Sequence, residues 1–202
     1  MADHRAITAV AETVVQVLRT SYDVGDFGTQ LDFSVFTSRD FTSSAIANGA
    51  SLFVYRVFPH GSWRTPAGRL GQDGRRLKSA LPLEMHFLLT VWGGEASLQN
   101  TLAGWILRML EDNPILPAGV LNTAVPGVFR ADESVELVLA EVTNEDLLRI
   151  WEVLGLGVYQ LSIPYLARVI HLESIQKVYG GGPPVQEREA EMAVLEAPEE
   201  AP

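Results

Sequence analysis

Among the side chains whose types could do acid–base or metal chemistry, four histidines, His4, His60, His86 and His171, and Glu84 beside His86 stand out. No two histidines stand at a metal-ligand spacing, and no HExxH-type helical pair occurs. Glu84, His86 and His171 could meet if segments 81–92 and 165–173 are neighbouring strands. Two imidazoles and a carboxylate would then suit a metal-dependent enzyme or an acid–base pair. The same residues also read as half-buried polar groups on a sheet face or at a subunit contact. The chain contains no cysteine, which removes disulfides, thiolate zinc sites, iron–sulfur clusters and cysteine nucleophiles. It has no GxSxG elbow, Walker loop or GxGxxG, and no convincing helix follows Gly180–Gly182 to present amides to a phosphate. Gly25-Asp26-Phe27-Gly28 and Gly71-Gln72-Asp73-Gly74 read as turns. No catalytic, cofactor-binding or metal-ligating residue is assigned, and the expectation is a protein that is not an enzyme.

A different kind of segment runs from His60 to Ala80. It holds Trp63, Arg64, Arg69, Arg75, Arg76 and Lys78 against Asp73 alone, a net of +4 in a chain of net charge −10. It joins two expected strands and is too long for a hairpin turn; loops of this length are usually functional or unstructured. Trp and Arg are favoured interface anchors, so these residues are the candidate partner-binding set. A solvated excursion is the alternative. Nucleic-acid binding has little support, because the loop lacks interleaved aromatics and the whole chain is acidic.

The elements that must position these residues follow from hydrophobic period. Ile7, Val10, Ala11, Val14, Val17 and Leu18 mark an amphipathic helix over 4–20. Leu31, Phe33 and Val35 alternate as a strand, and after a polar Ser/Thr/Asn/Gly stretch SLFVYRVF at 51–58 reads as a stronger one. LPLEMHFLLTVW at 81–92 is expected to be a central strand, with Leu83, Met85, Phe87, Leu89 and Val91 on one face. Leu98 to Leu110 predict a helix over 95–112 that Asn113-Pro114 ends. Residues 135–139 alternate as a strand. In TNEDLLRIWEVLG, Thr143 is an expected N-cap with Asp146 in a capping-box position. Residues 165–173 form the last strand, with Tyr165, Ala167 and Val169 on one face and Leu166, Ile170 and Leu172 on the other. The early strands lack intervening helices, so the expected fold is α+β, a single domain with a mixed, mostly antiparallel sheet flanked by helices.

At 202 residues with 47% apolar content, the chain has the size and composition of one folded domain. Residues 183–202 carry six glutamates against Arg188, which is half the net charge. They follow Gly180-Gly181-Gly182-Pro183-Pro184. The expected division is therefore a body over 1–179 and a hinge with an acidic tail over 180–202, the tail being dispensable for folding. The N-terminus lacks the apolar stretch of a secretory signal, and no run of about 18 apolar residues predicts membrane insertion. Synthesis and assembly in the cytoplasm are expected.

The ordered words SLFVYRVFPH, LPLEMHFLLTVWG, LAGWILRMLEDNPILP and LLRIWEVLGLGVYQLSIPYLARVIHLES resemble the cap, or tail-terminator, proteins of contractile injection systems. The resemblance covers roughly residues 5–175. It implies a structural protein, expected to form a hexameric ring that closes the end of the inner tube and contractile sheath distal to the baseplate. The implied partners are further copies of itself, the inner tube protein and the sheath protein, with the tape-measure protein a further candidate. Many family members have a short Asn-containing segment where this chain has its Trp- and Arg-bearing loop, so contacts made there are expected to be particular to this system. Two other functions stay open on sequence alone: the metal-dependent enzyme using Glu84, His86 and His171, and a soluble adaptor whose acidic tail binds a basic partner.

Overall fold

A computed structural model describes residues 2–43, 46–61, 78–154 and 159–174. Six strands form one sheet in the order β1-β2-β3-β6-β5-β4: β1 (Asp32–Phe36), β2 (Gly49–Pro59), β3 (Leu81–Trp92), β4 (Ile115–Pro117), β5 (Ser134–Leu139) and β6 (Ser162–Leu172). β1 pairs with β2 in parallel and every other pair is antiparallel. The mixed, mostly antiparallel sheet expected from the sequence is therefore what the chain adopts. The first two strands do have a helix between them, contrary to the sequence reading. The four-residue α3 (Asp40–Ser43) turns the chain so that β2 runs alongside β1. The pairing needs a glycine at its start. Gly49 has φ +143°, and a Cβ there would sit 1.8 Å from the Asp32 carbonyl oxygen.

One face of the sheet is covered by α1 (Ala6–Ser21), α4 (Ala96–Asp112) and α5 (Ala118–Ala124), with the single turn α2 (Val24–Phe27) at the end of α1. α1 directs Val10, Val14 and Leu18 inward against Phe33, Leu52, Phe87 and Tyr165. Phe87 is fully buried and its ring stacks on Tyr165 at 5.8 Å and 14°. The opposite face carries a smaller apolar cluster beneath α6 (Asn144–Leu154), made of Phe36, Phe41, Ile46, Leu88, Trp151 and Leu154. β3 has helices over both faces for part of its length. This explains why Phe87 to Val91 are buried without a break, and the place of β3 inside the sheet.

α6 begins as its sequence predicts. The Asp146 N–H donates to Thr143 Oγ1 at 3.1 Å, and the Thr143 hydroxyl donates to the Asp146 carboxylate at 2.7 Å. The last strand departs from its predicted alternation. Leu83 pairs with Ile170 but Met85 pairs with Ala167, so β6 accommodates one extra residue there. The core face is consequently Tyr165, Ala167 and Ile170, while Val169 is half-buried on the other side. No helix among the described residues is long and apolar enough to cross a membrane.

Candidate docking surfaces

Trp63, Arg64, Arg69, Arg75 and Arg76 lie outside the described residues, as does the acidic tail. Lys78 is described and exposed, where the chain returns toward β3. The two roots of the segment are fixed: the His60 N–H donates to the Pro82 carbonyl at 2.8 Å, and Ala80 is buried. They sit at the projecting end of the β2–β3 hairpin, where β2 rises clear of the core and Val57, Phe58 and Leu81 are exposed. The Arg56 guanidinium lies over the Phe58 ring at 4.7 Å. An arginine on an aromatic face beside bare apolar side chains is the composition of a protein-contact surface. The sequence reading named the connection as the candidate contact and did not single out Arg56 and Phe58 at its base, which alternate along β2.

The polar cluster differs from the sequence expectation. Glu84 is flanked by His60, with Nε2 3.3 Å from Oε1, and by His86, with Nε2 3.8 Å from Oε2. His171 pairs along the sheet with Pro82 instead. A bulge in β2 accounts for the place of His60. Tyr55 is the extra residue of β2, because Val54 faces Phe87 and Arg56 faces His86, and it brings His60 within reach of Glu84. His171, paired with Pro82, stands two residues from Glu84 along the sheet. Burial, with Arg56 adding to it and Glu84 opposing, holds the His86 imidazole below its ordinary value, which keeps it neutral at neutral pH. Burial pushes the neighbouring Tyr55 phenol up. No group of three or more histidine, aspartate or glutamate side chains among the described residues could hold a metal ion. The arrangement ties the end of β2 to β3 through a shared carboxylate.

Two concavities open on the face of the sheet that bears this cluster. One, of about 620 Å³, is lined by His60, Ser134, Glu136, Arg168 and His171 among others, with Glu136 and Arg168 paired across strands at 2.9 Å. The other, of about 680 Å³, runs between α6 and the sheet, with Phe53, Tyr55, Ile150 and Val153 along it. The sheet edges offer little. β1 has five residues and its Phe33 carbonyl accepts from Arg19 Nη2 at 2.5 Å, while β4 has three residues and ends in Pro117. Short, capped or proline-bearing edges resist pairing with another strand.

The chain matches the family model described as the Pvc16 N-terminal domain over residues 9–187. No curated protein matches it in sequence. Among solved structures, its fold is similar to the sheath/tube terminator of an extracellular contractile injection system, PVC, in the extended state. That likeness has a TM-score of 0.60 at 17% identity and covers 93% of this chain and 65% of the other. It is also similar to the tube-terminating cap of the anti-feeding prophage, with a TM-score of 0.60 at 17% identity, covering 90% of this chain and 59% of the other. The chain thus spans about two thirds or less of the length of either terminator. With the match running across nearly all of the sheet and its helices, the chain belongs to the Pvc16 N-terminal domain family.

Proposed function

We propose that this protein is a structural cap, a tail terminator that closes the baseplate-distal end of the inner tube and contractile sheath in a phage-tail-like contractile injection system. The observation that carries this reading is membership of the Pvc16 family over residues 9–187, on a fold similar to two tube-terminating proteins. Copies of the chain assemble in the cytoplasm into a closed ring, a hexamer, whose neighbours are the tube protein, the sheath protein and the tape-measure protein. A terminator needs a heterologous contact that closes, since one that does not close grows a filament. The blunted sheet edges favour contacts through faces and the hairpin end over strand addition. In this role the chain performs no catalysis.

The grip on tube or sheath is assigned to the hairpin end. Val57, Phe58 and Leu81 supply apolar area, Arg56 and Lys78 supply charge, and the connection carrying Trp63, Arg64, Arg69, Arg75 and Arg76 extends from it. Its positive charge steers the ring toward an acidic partner, while desolvated arginine or tryptophan side chains slow its departure. The test replaces Arg75 and Arg76 together with Glu and follows co-purification with tube and sheath proteins at low and moderate salt. An unchanged thermal melt with reduced co-purification is expected. Capping equal to the parent at both salt concentrations would remove this segment from the contact.

A further inference from the structure

α6 is held to the sheet by few ties. It sets Trp151 and Leu154, with Ile150 half-buried beside them, against Phe36, Phe41 and Leu88. Among the described residues no hydrogen bond or ion pair joins it to another element: Arg149 pairs with Glu145, and Asp146 with Thr143, inside the helix and its cap. On the opposite face α1 is tied by the Thr13 hydroxyl to the Leu121 carbonyl and by Arg19 to the Phe33 carbonyl. Trp151 is the anchor of α6, 5% exposed, with its ring edge-on to Phe41 at 5.7 Å and 87°. Yet its indole N–H is buried and has no acceptor among the described residues. A buried donor left unpaired opposes docking, and it regains water when the helix moves away. Along one flank the groove of about 680 Å³ separates α6 from the sheet, and Val153 beside it is 88% exposed.

The apolar cluster beneath α6 is separate from the main core, which lies on the other face of the sheet. Adjacent residues of β3 show the division. Leu88 is fully buried in the cluster beneath α6, and Leu89 is fully buried in the main core. Loss of α6 from the sheet therefore breaks the smaller cluster and leaves the packing of α1, α4 and α5 as it is. Elements with few buried apolar contacts open at a lower free energy than the whole fold. The helix can move as a unit, because Thr143 and Asp146 cap it from within. We propose that α6 is a lid, which lifts from the sheet while the main core stays folded and so uncovers Leu88 and the rings of Phe41 and Phe53. The motion belongs to the single chain and needs no partner, so it goes beyond the capping role.

The chain has no cysteine, so a single introduced thiol reports the opening without background. Leu88→Cys and Leu89→Cys are made separately in the full-length protein and labelled with a chromogenic disulfide reagent under native conditions. Each rate is compared with that variant's own global unfolding in guanidinium. The Leu88→Cys thiol is expected to react at least about a hundredfold faster than global unfolding allows, and the Leu89→Cys thiol no faster than it allows. Adding Leu102→Ala, at a fully buried position of the main core, should speed the second thiol and leave the first unchanged, whereas adding Trp151→Ala should speed the first. Hydrogen exchange of the unsubstituted chain reads the same opening without a core substitution. The amides of Leu148 to Leu154 should share one protection factor that falls little with sub-denaturing guanidinium, since the lid exposes a small surface. A Leu88→Cys thiol that reacts only through global unfolding, equal acceleration of both thiols by Leu102→Ala, or α6 amides with the same denaturant dependence as those of Phe87 to Val91 would each overturn the proposal.

Discussion

Replacing Tyr165 with Phe should stabilise the protein, although the residue is a large aromatic at the centre of the core. Tyr165 is 1% exposed, and its hydroxyl has no hydrogen-bond partner among the described residues. Burial, followed by the charge of Glu111, pushes the phenol up to about 12, so the group stays neutral across any ordinary assay. A buried hydroxyl left without a partner costs about 1–3 kcal/mol, while the ring retains its stacking on Phe87 when the oxygen is removed. Part of that cost returns as strain or as a small void, leaving an expected gain of about 1 kcal/mol, or roughly 2–4 °C in Tm for a domain of this size. Thermal unfolding followed by circular dichroism, with parent and variant side by side at pH 7, reads the difference. Phe87→Ala in the same series should lose about 3–5 kcal/mol, since it removes the ring and leaves a cavity. A Tyr165→Phe variant melting several degrees below the parent would refute the reasoning, because it would show that the hydroxyl is satisfied.

Two further outcomes follow from the same sheet. Phe87→Asp should abolish cooperative folding, because an unpaired carboxylate at a fully buried position costs several kcal/mol against roughly 5–15 of total stability; a soluble variant with a sharp melt would contradict the register of β3. His86 is held below its ordinary value by burial, so below pH 6.5 the unfolded chain binds more protons there than the folded one, and stability falls as pH falls through that region. His86→Gln should flatten the decline in Tm between pH 7.5 and 5.5, and an unchanged slope would assign the acid sensitivity elsewhere.

Long elements were legible in the sequence because their burial follows one period without interruption. β3 occupies 81–92 as its alternation predicts, and α4 ends at the Asn113-Pro114 step. What was not legible depends on tertiary contact. Phe41 and Ile46 lie in a stretch that reads as polar, yet the Phe41 ring meets Phe36, Phe53 and Trp151 within 5.7 Å and makes α3 part of the second core. β4 and α5 are too short to show a period. The bulges in β2 and β6 each shift the side-chain phase by one residue; the first brings His60 to Glu84, and the second puts Ile170 in place of Val169 in the core. The family resemblance was legible across the body because it rests on the order of four long apolar words. The candidate partner-binding residues read in the sequence as local positive charge and, except Lys78, lie outside the described residues, whereas Arg56 over Phe58 emerges from the register of β2.

If the chain terminates a contractile tail, electron microscopy of particles assembled without it will reveal the loss. Particles from cells lacking the protein should show tails of irregular length or without a closed distal end, and restoring the full chain should return capped tails carrying a ring of its copies. Normally capped tails of normal length in its absence would contradict the account.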